Sequence, residues 1–323
     1  MRLLTITLVV LIFSGCAKEI IQIPASKNYS NEIRYNRETK LVVENINGNV
    51  DVKAVTNAQS STISAVLKAV STTPEAAQGF LDKMEIKFKR EGDEIVVETI
   101  VPKAWTFKGR AKKPSSWSAD IIVNIPNGID VSCAVTNGNV SAIGPNARVT
   151  VQAINGNVKV VDNTNEISVV TTNGDTFVSN SQDYSIRVRQ TTTNGNCTLE
   201  MPQAQYGWYV LRTTNGTIEM DLRSAVEPEV NLRTTIGDIS LILGKKISGS
   251  LDLQTTDGNV STDMIINTST TIGGEKSNQK IKGKFNVGRG TIIAISTKGN
   301  ISLRYPDDTE EAAETSETTS GNQ

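Results

Sequence analysis

Histidine is absent from all 323 residues, which removes the commonest general base near neutral pH and the commonest transition-metal ligand. Cysteine is nearly absent too: Cys16 stands in the leader, and only Cys133 and Cys197 follow it. Those two occupy different apolar positions about three repeats apart, too far for a disulfide, so they read as small buried hydrophobes. No zinc or redox spacing surrounds them, and no cofactor is expected. Net charge is close to zero, at −1, without the basic excess of a nucleic-acid binder. The surplus of acid sits at the end, where Asp307, Asp308, Glu310, Glu311, Glu314 and Glu317 stand without a cation. Residues 306–323 therefore read as a disordered acidic tail. The one apolar run, Leu3 to Phe13, is too short for a permanent membrane span.

What the chain has in quantity is a repeated phrase, apolar-Thr-Thr-Asn-Gly-Asn-apolar-x-apolar. Its glycines are Gly138, Gly156, Gly174, Gly195, Gly216, Gly237 and Gly258, spaced by 18 or 21 residues, with a further copy at Gly299 and an early one at Gly48. A unit this short must bury its apolar face against its neighbours. Aligned on the glycine, apolar residues recur two and four places after it, as in Ile218 and Met220, and five and seven places before it, as in Leu232 and Val230. That alternation marks the inward faces of strands. The Asn-Gly pair between them reads as a corner, because both residues tolerate the left-handed conformation. The Asn or Asp that follows could hydrogen-bond along the axis. A leucine-rich repeat would need its leucine signature and a helical return, and an antiparallel sandwich would not hold a fixed phase. The expectation is an all-β chain: a right-handed parallel β-helix, or β-solenoid, with rungs of 18 to 21 residues and an N-terminal β-rich capping insertion. Its length would be roughly 45 Å at about 4.8 Å per rung.

The leader supplies a second signal. Arg2, the short apolar run and Ser14-Gly15-Cys16 have the layout of an export signal, and small residues before a cysteine resemble the lipobox of bacterial lipoproteins. Cleavage there would leave an acylated Cys16 as a membrane anchor, stable when more than one chain is attached. Phe13 stands where a lipobox usually has leucine, and an ordinary signal peptide is the competing reading. Lys18 is not the Asp of an inner-membrane retention signal, which points to the outer membrane in a cell with two. The expected layout is a lipoprotein signal peptide over 1–15, a tether and stalk over 16–40, a β-rich module over 41–127, a parallel β-helix over 128–305, and the tail. Within the module, Thr73-Pro74-Glu75 predicts a helix start running to about Lys83. Residues 263 to 290 read as a looser segment that bulges or forms an irregular rung, and Ile236 replaces the corner asparagine.

The early Asn47-Gly48-Asn49, the divergent insertion, the phrase Ile121 to Gly128 and the Thr-x-Asn-Gly-Asn-Val rungs together resemble a bacterial family of β-strand-repeat proteins. That family carries an adhesin label and is catalogued as a domain of unknown function; the chain is also similar to the head domain of auto-transporter adhesins. The resemblance covers about residues 40 to 305. It implies a right-handed parallel β-helix displayed at or beyond the cell envelope, and it supplies no functional residues.

The sharpest candidate ligand site is the stretch from 102 to 118. Trp105, Phe107 and Trp117 interleave there with Lys103, Lys108, Arg110, Lys112 and Lys113. Such a loop could stack on sugar rings while pairing with phosphates or carboxylates. Alternatively the aromatics cap the core and the cations keep a hairpin soluble. A threonine column two places before each glycine raises an ice-binding face, but the neighbouring column carries Arg212 and Arg233, which break a flat lattice. Enzymatic activity is not expected: glycoside hydrolysis needs two carboxylates about 5 to 9.5 Å apart, and Asp175 and Asp238 lie three repeats apart. The expected function is an envelope-anchored, adhesin-like module binding a glycan, an envelope polymer or a protein, with no nucleic acid. The alternative is an envelope scaffold with a protein partner.

Overall fold

The computed structural model describes residues 22–35, 38–102, 106–107, 110–111, 114–183, 185–267 and 275–306, with backbone alone at 106–107, 110–111 and 275–276. Two long sheets, of thirteen and twelve strands, enclose the core. Each rung lays one strand in the larger sheet, turns at its glycine, and lays a second strand in the smaller sheet, as in Asp130–Asn137 followed by Val140–Ile143. From the Gly138 rung to the Gly237 rung, neighbours in sequence are neighbours in space, all parallel. The architecture is solenoid-like, as expected.

Pairing is in register, so each alignment column becomes a stack. Val131 pairs with Val149, Val149 with Ile167, Ile167 with Val188, Val188 with Tyr209 and Tyr209 with Val230. All of these are buried, as are the columns two and four places after the glycine. The three-residue offset before the glycine is also inward, yet from Thr171 to Thr255 it holds threonine. The hydroxyls of Thr192, Thr213 and Thr234 donate to the corner carbonyls of Gly174, Gly195 and Gly216 on the preceding rung, at 3.0, 2.9 and 3.0 Å. A buried polar column is tolerated because each oxygen is satisfied.

The stacking order departs from the sequence at both ends. The rung Gly290–Lys298 and Ile301–Arg304 inserts between the Gly237 rung and the Gly258 rung. Thr255 accordingly bonds Gly299 O, at 2.7 Å, while Ser296 bonds Gly237 O, at 3.0 Å. Lys280–Phe285 then pairs antiparallel outside Gly249–Asp257. Lys280–Phe285 thus lies beyond the last rung, and Gly290–Lys298 lies on its inner side.

At the other end Lys40–Asn47 and Val50–Val55 stack on the Gly138 rung. Glu94–Ile100 and Ser116–Pro126 lie outside them, also parallel. Antiparallel strands then finish both sheets: Glu85–Glu91 on one, Ser60–Ser71 and Ile23–Arg34 on the other. Edges built of antiparallel strands replace an open parallel edge that would template further pairing. Ile23–Arg34, assigned by sequence to the stalk, is therefore a strand of the fold. Its half-buried Tyr29 and buried Ile33 pack on the core, which is why the segment is ordered. The helix forms over Pro74–Leu81, with the Thr73 hydroxyl accepting from Ala76 N at 3.2 Å, and it buries Ala76, Ala77, Phe80 and Leu81.

Candidate binding face

The corners set the geometry of the exposed surface. At the rung glycines φ lies between +145° and +158°, apart from Gly48 at +115°. A Cβ at Gly138, Gly156, Gly174, Gly195, Gly216 or Gly237 would stand 1.9 to 2.1 Å from the carbonyl oxygen of the preceding corner. Close approach of backbones, beyond the bend itself, therefore dictates glycine. The preceding asparagines do not take positive φ, contrary to the left-handed corner expected of the pair. Their side chains form a ladder instead. Asn137, Asn155, Asn173, Asn194 and Asn215 each donate Nδ2 to the Oδ1 of the asparagine one rung back, at 2.7 to 2.8 Å, starting from Asn47. It stops at Ile236, which has no amide and is half exposed. A second ladder follows the glycine, where Asn139, Asn157, Asp175 and Asn196 accept the backbone N–H of the next rung at 2.8 to 2.9 Å. Both ladders repeat identical bonds, so the strands leaving each corner are held in one register.

The outer face of the thirteen-stranded sheet carries two grooves along these rungs. One, of about 500 Å³, is lined by Ile46, Ala134, Ile154 and Val170, with Glu44 and Glu98 at its end. Ile46, Ile154 and Val170 are 46%, 49% and 41% exposed, an unusual concentration of apolar surface. The other, of about 430 Å³, is lined by Thr191, Thr193, Thr214, Thr235, Arg212 and Arg233. The outward threonines fall where the alignment places them. The two arginines, which sequence reasoning treated as flaws in a lattice, are the charged residues of this second groove. Their common column was visible in the alignment and would have located them.

Of the residues expected to form a ligand loop, Lys103, Trp105, Lys108, Lys112 and Lys113 lie outside the described residues, as does Cys16. Phe107 and Arg110 pair through the backbone in a two-residue hairpin of Thr106–Phe107 with Arg110–Ala111. Trp117 sits opposite Ala69, half-buried and packed against the core. It faces the same way as buried Ala119 and Ile121, so it closes the core on this side.

Among the described residues no group of three or more His, Cys, Asp or Glu could hold a metal ion. Cys133 and Cys197 are unpaired and buried. Burial pushes the Cys133 thiol up to about 12 and that of Cys197 up to about 11, from an ordinary 9.0. The native state then keeps both protons at pH values where the unfolded chain releases them. Stability is full below pH 9 and falls as pH rises toward 11 and 12, by about 1.4 kcal/mol per pH unit for each thiol. Urea unfolding at pH 8, 9 and 10 should show this loss, and the variant with both cysteines changed to Ala should show a clearly smaller slope over that range, the remainder coming from Tyr29, Tyr35 and Tyr209, whose phenols burial also pushes up. An equal slope in that variant would contradict the assignment.

A chain whose rungs stack by backbone and side-chain ladders, and whose outer face holds two grooves, is a β-repeat protein of the solenoid-like class. The chain belongs to the Toastrack DUF4097 family, whose model matches residues 39–304; this is a domain of unknown function, as the rung phrases suggested. No curated protein matches it. Among solved structures it is similar to a putative adhesin from Bacteroides fragilis, at 13% identity over 87% of this chain and 97% of that one, with a TM-score of 0.45. It is also similar to a putative cell adhesion protein from Clostridium sporogenes, at 11% identity over 87% and 100%, TM-score 0.31. A third is a putative lipid binding protein from Parabacteroides distasonis, at 9% identity over 87% and 97%, TM-score 0.34. No helix among the described residues is long and apolar enough to cross a membrane.

Proposed function

We propose that the protein is a non-enzymatic, adhesin-like binding module of the cell envelope, held to the membrane through an acylated Cys16, with the outer membrane as its location in a cell with two. Its coil has the right-handed sense expected of parallel crossovers. The observation that carries this reading is the pair of grooves on one outer face, built on strands already fixed by their ladders. A surface ordered before contact loses little conformational entropy on binding. Absence of histidine throughout the chain supports a role without general-base chemistry. A glycan or envelope polymer suits the hydroxyl-lined groove. A scaffold that binds a protein is favoured by the apolar groove at Ile46, Ile154 and Val170, which such a partner would cover.

The test is binding of the full chain to arrayed envelope glycans and purified peptidoglycan. Two variants run beside it, Trp105→Ala with Phe107→Ala in the loop and Ile154→Ser with Val170→Ser on the face, each first checked to be folded. Binding lost only in the face variant supports the reading, and binding lost only in the loop variant moves the site to the loop. No binding by the parent chain overturns the glycan module in favour of the scaffold.

A further inference from the structure

We propose that the outer face around Arg187, Arg189, Arg212 and Arg233 is a binding site for an acidic glycan, a linear sugar polymer bearing sulfate, phosphate or carboxylate groups. This rests on the reading of the outer face of the thirteen-stranded sheet as the binding face. The four arginines come from three successive strands, Arg187–Thr191, Trp208–Asn215 and Glu229–Ile236, and all are exposed. Arg212 and Arg233 are partners in register, so two like charges stand on adjacent strands. That placement opposes folding unless something neutralises it. Elsewhere exposed cations find carboxylates, as in Arg148 with Glu166 at 3.5 Å and Lys68 with Asp120 at 2.6 Å. Among the described residues none of these four arginines has an ion-pair partner, and Glu229, in register beside Trp208, makes none with them.

A second observation comes from the groove itself. The Thr191 hydroxyl is the buried side-chain oxygen without a hydrogen-bond partner among the described residues, and it lies where Thr191 is in register with Arg212. A buried hydroxyl without a protein partner is costly unless a polar group reaches it, and Thr191 stands beside guanidinium groups that have no ion-pair partner among the described residues. Arg233 Nε is held by Asn231 Oδ1 at 3.1 Å, which orients its planar head. Such a fork suits two-point recognition of an anionic oxygen pair.

The remaining features select a sugar. Thr193, Thr214 and Thr235 repeat along the groove as exposed hydroxyls, able both to donate and to accept. Trp208, 40% exposed, stands in register with Arg187 on the same face. Its ring offers a flat surface beside a cation, the pairing that a charged sugar needs. Val210, between Arg189 and Asn231 in register, is only 6% exposed although it points outward, so neighbouring side chains lie over it and the patch is a continuous surface.

The test is calorimetric titration of the full chain with a sulfated, heparin-derived hexasaccharide, alongside a neutral dextran hexamer and a single-stranded DNA oligomer of matched charge. The hexasaccharide should bind and the dextran should not. Arg212→Gln and Arg233→Gln should each weaken binding by about tenfold, the loss of one charged hydrogen-bonding group. Thr191→Val should weaken it as well while leaving the thermal midpoint unchanged or raised, an outcome that a purely structural hydroxyl would not give. Arg148→Gln, a paired arginine just ahead of the strand Val149–Asn155 in the same sheet, should behave as the parent.

Equal weakening by Arg148→Gln, indifference to Arg212→Gln, or DNA bound as tightly as the sugar would overturn the site. If envelope glycans bind and are lost with Ile154→Ser but kept in the arginine variants, the anion site fails while the binding face stands. If no glycan binds at all, both fail together.

Discussion

Replacing Leu232 with Asp should lower the unfolding free energy by about 4 kcal/mol or more at pH 7, while Thr214→Asp should change it by no more than about 0.5 kcal/mol. The two positions lie on adjacent strands and differ in the direction they face. Leu232 is fully buried, with Leu211 and Ala294 as its neighbours in register. A carboxylate there would be charged, without a partner, and enclosed by apolar columns from three rungs. The deficit should narrow near pH 4, where protonation removes the charge and leaves the cost of a buried polar group. Thr214 is exposed on the outer face. Urea melts of both variants at pH 7 and pH 4 measure these effects, and similar losses in the two would refute the inward and outward assignment.

Gly195→Ala should cost at least about 3 kcal/mol, although only a methyl group is added. That methyl carbon would stand 2.1 Å from Gly174 O, 2.6 Å from its carbonyl carbon and 3.1 Å from Asp175 N. All three contacts are backbone atoms of the neighbouring rung, so relief requires the rungs to separate. Separation would stretch the Asn194 to Asn173 bond, the Thr192 to Gly174 bond and the backbone bonds on either side. Gly92→Ala provides the comparison. Gly92 also has positive φ, at +64°, but nothing lies within 4 Å of its added Cβ. Its cost should be that of conformation alone, about 1 kcal/mol. Comparable losses for the two variants would mean that the corner glycines serve the bend and not the close approach.

The inward columns were legible in the sequence because a fixed glycine phase aligns them, and alternation then assigns each residue a side. The helix at Pro74–Leu81 was legible for a local reason, since Thr73 and Pro74 carry the start signal themselves. The order of the last rungs was not. Leu253, Ala294 and Leu232 occupy the same column, and any of them could stack on any other. Such interchangeable rungs hold no record of which neighbour each will choose. Ile23–Arg34 escaped notice because its polar residues resemble a linker, and only pairing with Ser60–Ser71 makes it a strand. The arginine groove was hidden for a different reason. Column position was visible, but unpaired charge is a property of three strands together, and the orphaned Thr191 hydroxyl is a property of packing.

The interleaved rungs also govern how the chain can reach its native state. A regular solenoid can grow as its chain emerges, each new rung docking on the last. This one cannot be finished that way. Lys40–Asn47 is made before either of its parallel neighbours, Glu94–Ile100 and Asp130–Asn137. At the far end Gly249–Asp257 is made before the strand that will separate it from Glu229–Ile236. The stack therefore closes only when residues 290–304 arrive, and both sheets gain their final order in that single late step.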